Sequence, residues 1–248
     1  MNILKIFKLS IEKSIENTPM LILNNLFFFY FSILSIGFFA TFFIIGLSFS
    51  YFYISPKNNL YLPTAFVIIA VGGFLSLMLF FAGLGTYLNF ISQTISSKKN
   101  YNLIEELEYL DKNLLKFSIA GLLNYGLVVF IGIIFLVIWF IFEKNAFLFF
   151  LFFLLTYFIG INYFSFSFMT YPAIILDNYN PFDAFIKSIK LAKKYLIQSI
   201  ISIIILDFFK LFGVFFLFLY PIFFFFIYMP IYGYYLIYYY KIANNRMF

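Results

Sequence analysis

Long apolar stretches alternate with short charged ones along this chain, and the alternation predicts helices that cross a membrane. Runs free of Asp, Glu, Lys and Arg cover 17–56, 58–97, 117–142, 145–176 and 211–240, with a shorter one at 195–206. A helix traverses the hydrocarbon of a bilayer in about 20 apolar residues, so each long run can span once. The expected fold class is all-α: a polytopic membrane protein, one integral membrane domain over 1–248. Its six transmembrane helices are expected at about 20–50, 63–95, 115–142, 146–176, 196–218 and 222–240.

The charged segments have a helical pattern of their own. After Pro181, helical spacing puts Phe182, Phe185, Ile186 and Ile189 on one face and Lys187, Lys190 and Lys194 on another. That is the signature of an amphipathic helix lying in the membrane interface. Asn180 suits its N-cap, Pro181 its first position and Asp183 its first turn, where the helix dipole favours a carboxylate. Leu103, Leu107, Leu110 and Leu114 form a comparable stripe opposite Glu105, Glu106, Glu108 and Asp111, and Leu4, Phe7, Ile11 and Ile15 form one opposite Lys5, Lys8, Glu12 and Lys13. Three short interfacial helices are therefore expected, near residues 3, 101 and 181, one before each pair of spans. The best match among the three units sets Lys13-Ser14-Ile15 beside Lys187-Ser188-Ile189. Internal duplication and independently amphipathic loops both remain open on so short a match.

Basic residues orient the chain. Thirteen of the sixteen Lys and Arg lie in four segments: Lys5, Lys8 and Lys13; Lys98, Lys99, Lys112 and Lys116; Lys187, Lys190, Lys193 and Lys194; Lys241 and Arg246. Six spans put all of these on one side and only Lys57 and Lys144 on the other. By the positive-inside rule both termini are expected in the cytoplasm, in the cell membrane. The net charge of +6 thus belongs at the membrane edge, where anionic lipid headgroups are the expected partners of Lys187, Lys190 and Lys194, with Phe182 and Phe185 facing lipid. No basic soluble face is present for nucleic acid.

Composition narrows the chemistry. Hydrophobic residues make up 65% of the chain and charged ones 10%, against about 25% charged in soluble domains. Phe numbers 43, but the chain is equally rich in other residues with A/T-rich codons and uses fifteen Lys to one Arg, so the aromatic count carries no ligand inference. With no Cys and no His, disulfides, thiolate nucleophiles, haem and iron–sulfur ligation and the usual zinc sites are excluded, and no cofactor or metal is expected. The first apolar run is much longer than a signal-peptide core and lacks an evident cleavage site, so it is expected to remain as a span.

Within the spans, Asp207 and Lys210 stand out. Asp207 falls about twelve residues into the fifth helix, near mid-depth, where an ionisable group costs on the order of 2.5–3.5 kcal/mol. Two readings follow: a proton, cation or polar-ligand site, or a self-neutralised i, i+3 pair packed against Asn124 or Asn162. The second is the leading expectation. Asn24, Asn25, Asn89, Gln93, Ser32, Ser35, Thr41, Ser165 and Ser167 read as interhelical hydrogen-bonding groups. Gly72, Gly73, Ala82, Gly83 and Gly85, and Gly121, Gly126 and Gly132, mark close crossings of the second and third spans. Pro172 and Pro230 should kink the fourth and sixth. Tyr232, Tyr234, Tyr235, Tyr238, Tyr239 and Tyr240 read as an aromatic belt at the cytoplasmic interface.

The stretch 171–191 has a proline near the end of helix four, an apolar run, Asp177, a turn, and a helix with Ala184 and Ser188 four apart. In this it resembles a broad group of six-helix bacterial and archaeal membrane proteins. The group includes the membrane domain of some glycerophosphodiester phosphodiesterases and uncharacterised stand-alone relatives. The segment Ile-Phe-Lys-Leu-Ser-Ile-Glu-Lys-Ser before the first span is similar to the group's first helix. The resemblance implies a six-helix bundle; without the catalytic barrel it implies no phosphodiesterase activity, and it supplies no catalytic residues. The leading functional expectation is a non-catalytic membrane protein that supports or assembles with another membrane protein, and the alternative is a small transporter or channel using the Asp207/Lys210 region. A lipid-processing enzyme ranks third, because the one dense acidic set, Glu105, Glu106, Glu108 and Asp111, is expected on a solvated helix face.

Overall fold

A computed structural model describes residues 2–53, 61–95, 102–141, 146–214 and 219–244, and no strand occurs among them. The helices are α1 (Ile3–Glu16), α2 (Thr18–Tyr53), α3 (Tyr61–Ile95), α4 (Leu103–Ile141), α5 (Ala146–Ser167), α6 (Thr170–Asp177), α7 (Pro181–Lys194) and α8 (Leu196–Val214). A final rod consists of α9 (Tyr220–Phe223), a π turn (Phe224–Tyr228) and α10 (Met229–Ala243). Among the described residues, four stretches are long and apolar enough to cross a membrane: Thr18–Ser48, Val67–Ile95, Phe150–Asp177 and Tyr220–Ala243. Their outward faces carry exposed Ile36, Phe39, Ile44, Val67, Leu154 and Phe158. Apolar surface on that scale requires lipid around it. Lys57, Lys98, Lys99, Lys144 and Arg246, which bear on the orientation expected from the sequence, lie outside the described residues.

α2, α3 and α4 pack side by side, and small residues bring them together. A Cβ at Gly85 would run into the Phe117 ring, and one at Gly121 into the Phe81 ring, so α3 and α4 cross where these glycines admit the facing aromatic side chains. Gly72 does the same for Phe42 of α2, whereas Gly126 faces open space. Polar side chains add interhelical bonds: Ser35 donates to the Ser76 carbonyl (2.5 Å), Ser118 to that of Met78 (3.0 Å) and Asn24 to that of Tyr87 (3.3 Å). Between lipid-embedded helices such bonds and close packing replace the hydrophobic effect, because lipid is as apolar as the helix surface.

Proline shapes two of the rods, as the sequence predicts, although not as simple kinks. Pro172 has no N–H for the carbonyl four residues earlier, and the helix stops at Phe168–Met169, between α5 and α6. Ser188 of α7 fills the gap: its hydroxyl donates to the Phe166 carbonyl (2.7 Å) and accepts from the Met169 N–H (3.2 Å). Ahead of Pro230 the backbone widens into the π turn. At the other end of α6, Asn178 takes the left-handed conformation (φ 53°) common at helix C-termini. Asn180 then caps α7, accepting from the Asp183 N–H (2.9 Å), with Pro181 and Asp183 in the first turn.

Four expectations need correction. The segment beginning at Leu103 is no separate interfacial helix but the first turns of the continuous 39-residue α4, because no Pro or Gly interrupts it before the span. Within it Glu106 is buried, not solvated; burial, with the Glu106 charge beside it, pushes the Tyr109 phenol up to about 12. On α1 the face packed against protein is Ile3, Ile6, Ser10 and Ser14, while Leu4 and Ile15 of the expected stripe point outward. The tyrosines of α10 form no belt, since Tyr234, Tyr235, Tyr238, Tyr239 and Tyr240 are buried at the centre of the bundle. Their hydroxyls find partners there: Tyr235 donates to Ser202 (2.5 Å), Tyr240 to Asp177 (2.7 Å), and Tyr239 and Tyr234 bond with Ser199 (3.0 Å) and Thr94 (3.2 Å). A buried tyrosine is tolerated when its hydroxyl is satisfied, and these four tie α10 to α3, α6 and α8.

Candidate functional site

Asp207 stands eleven residues beyond Leu196 on α8, about 17 Å along the helix. It lies on the wall of a cavity of about 400 Å³. Ile203, Leu206, Asp207 and Lys210 reach the cavity from α8, spaced so that one helix face supplies all four. Leu77, Phe80, Phe81 and Leu84 repeat that spacing on α3. Tyr125 comes from α4, Phe164 from α5, Phe168 from the break that follows it, and Phe224, Tyr228, Met229 and Tyr232 from the last rod.

Both irregular helices border this space. Phe168 is at the break before Pro172, and Phe224, Tyr228 and Met229 belong to or follow the π turn before Pro230. The π turn offsets Phe224 and Met229 by five residues yet leaves both on the cavity, which a regular α-helix would not do. π turns are rare and recur at functional sites. Non-helical backbone at membrane depth is tolerated where it lines a cavity or is buried in protein.

The walls are mainly aromatic, with a polar cluster on one side. The Tyr125 ring stacks on Phe81 (5.3 Å between centroids) and meets Phe164 edge-on (5.0 Å). Tyr228 and Tyr232 stack at 5.8 Å, one turn apart. The charge of Asp207 reaches Tyr125, Tyr157 and Tyr228. Lys210 acts on Asp207 electrostatically, yet the two do not close to the 4.0 Å of an ion pair. Both line the cavity, Asp207 half-buried and Lys210 exposed.

Of the four intramembrane residues singled out in the sequence, the structure brings Asp207 and Lys210 together here. Asn124 and Asn162 are elsewhere: Asn124 is buried with its Oδ1 lacking a hydrogen-bond partner, and Asn162 donates to the Phe158 carbonyl of its own helix (2.8 Å). Sequence reasoning missed Tyr125 and Tyr228 and gave Tyr232 a different role. The available signal was the i, i+4 spacing of Tyr228 and Tyr232 on either side of Pro230. At the interface, Phe182 is 61% exposed and Phe185 half-buried against Tyr163, with Lys190 and Lys194 exposed and Lys187 half-buried. The protein-facing side of α7 is instead Pro181, Ala184, Ser188, Leu191 and Ala192.

Chemically the cavity offers one carboxylate, one ammonium and three phenols within an aromatic lining. Among the described residues no group of three or more His, Cys, Asp and Glu assembles. Comparison with protein-family models, curated proteins and solved structures gave no match to this chain.

Proposed function

We propose that this chain is a six-span protein of the cell membrane, with both termini cytoplasmic, that binds a small charged molecule in the Asp207 cavity and passes it across the bilayer. The carrying observation is the cavity itself: it lies between two proline-interrupted helices and is lined by Asp207 and Lys210, which form no ion pair with each other, and on the proposed topology it falls at mid-depth. Of the readings drawn from the sequence, this favours a transporter over a supporting or partner-assembling protein. No catalytic step is required of the site.

Topology supports the reading. Besides the four apolar stretches, α4 is 39 residues long and α8 is 19, and a helix of 19 residues covers roughly 28 Å. Thr94 at the end of α3, Asp177 at the end of α6 and the C-terminal half of α10 are hydrogen-bonded together, and α1 packs across α10. One end of the bundle thus gathers both termini and the basic connection around α7, as a cytoplasmic face requires. Open apolar residues Phe182 and Ile186 on α7, and Leu4 and Ile15 on α1, support contact of these two helices with lipid. The resemblance to the six-helix group belongs to the same reading.

The test is movement across liposomes of labelled choline, succinate and phenylalanine from solution, and of an acyl-labelled phosphatidylethanolamine within the bilayer. At least one should cross faster with the protein than without, and the excess should vanish in Asp207→Asn. Rates equal to protein-free vesicles for all four would overturn the proposal.

A further inference from the structure

We infer that the molecule taken by the cavity is a zwitterion with an apolar body, an ammonium and an anionic oxygen group carried a few ångströms apart. The inference rests on the reading of the cavity as a binding site and adds its ligand class. Asp207 and Lys210 are three residues apart on one helix, which puts their Cβ atoms about 5–6 Å from each other, and both line the cavity. They attract one another but form no ion pair within 4.0 Å.

Each simpler ligand leaves a charge unanswered. A bare cation at Asp207 is repelled by Lys210, and a bare anion at Lys210 is repelled by Asp207. In a low-dielectric site those repulsions are strong. A neutral ligand would cover both charges without supplying a partner to either. A zwitterion laid along α8, ammonium toward Asp207 and anionic group toward Lys210, answers both. Tyr228 and Tyr232 border the same cavity and place two phenols beside the charged pair. Phe80, Phe81 and Phe164 also line the cavity and offer an aromatic surface suited to the apolar body, in a volume typical of small-molecule sites. Amphipathic amino acids and aminophospholipid headgroups share this chemistry.

Melting of the purified full-length protein separates the possibilities. The soluble probes are L-phenylalanine, its methyl ester as a cation, and N-acetyl-L-phenylalanine as an anion, added in detergent. The lipid probe is phosphatidylethanolamine in nanodiscs of phosphatidylglycerol. Phenylalanine should raise the melting temperature with an affinity about tenfold or more above either singly charged analogue, the loss expected when a half-buried charge is left without its counter-charge. Asp207→Asn should remove that preference, and Lys210→Met should bring the ester up to the level of phenylalanine. Stabilisation by phosphatidylethanolamine and not by phenylalanine would assign the zwitterion to the lipid and equally support the inference. Tightest binding of the ester or of the N-acetyl compound would overturn the zwitterion and leave the binding site standing. No shift with any probe, alongside Asp207-dependent movement of choline or succinate in liposomes, would do the same; no shift and no movement would overturn both.

Discussion

Exchange of Ser188 for leucine is expected to unfold the part of the bundle where α7 docks, lowering the melting temperature in detergent by more than any other single change on α7. Ser188 is fully buried where α7 meets the break between α5 and α6, and its hydroxyl serves the Phe166 carbonyl and the Met169 N–H at once. Leucine removes both bonds and forces three additional carbons into a contact that has room for none. Overpacking alone costs about 1–3 kcal/mol, and stranded buried backbone groups add about 1–3 kcal/mol. Ser188→Ala isolates the second contribution and should lose about 1–3 kcal/mol without displacing α7. Melting of Ser188→Leu within a degree or two of the native protein would show that α7 is not held at this point.

The second large effect is on transport. Asp207→Asn and Lys210→Met should each reduce movement of the favoured probe by tenfold or more while shifting the melting temperature by only a few degrees, because both side chains border open space and do not brace a packed interface. The double substitution should remain inactive. A purely structural pair behaves otherwise: each single change leaves a lone charge in a poor solvent, and the double change recovers much of the lost stability. Strong destabilisation in the single variants, rescued in the double, would return Asp207 and Lys210 to a structural role.

Local chemistry was the most legible part of the sequence. Asn180, Pro181 and Asp183 form the cap that their order predicts, and Pro172 and Pro230 disrupt the helices that contain them. Gly85 and Gly121 mark a close crossing. What failed was the assignment of faces inside the membrane. In water, polarity separates inside from outside; in lipid both sides of a helix are apolar, so Tyr234, Tyr235, Tyr239 and Tyr240 carry no mark of burial. The clue was their distribution over every face of α10, which suits a central helix, together with hydroxyl partners at Thr94, Asp177, Ser199 and Ser202 in distant segments. Glu106 misled for the converse reason: a carboxylate between two others on an amphipathic stripe reads as solvated, and only the packing of α4 buries it. The cavity could not be read at all, since its residues come from five helices whose mutual rotation periodicity leaves undetermined.

The central claim is that Asp207 faces a water-accessible space at membrane depth. The chain contains no cysteine, so a single one can be introduced and followed without background. Phe208, the next residue, is 74% exposed on the outer side of α8 and faces lipid on the proposed topology, which makes it the matched control. In proteoliposomes, Asp207→Cys should be modified by a small, charged, water-soluble thiol reagent, and Phe208→Cys should not. Failure of the reagent to reach position 207 from either side of the membrane would contradict the account.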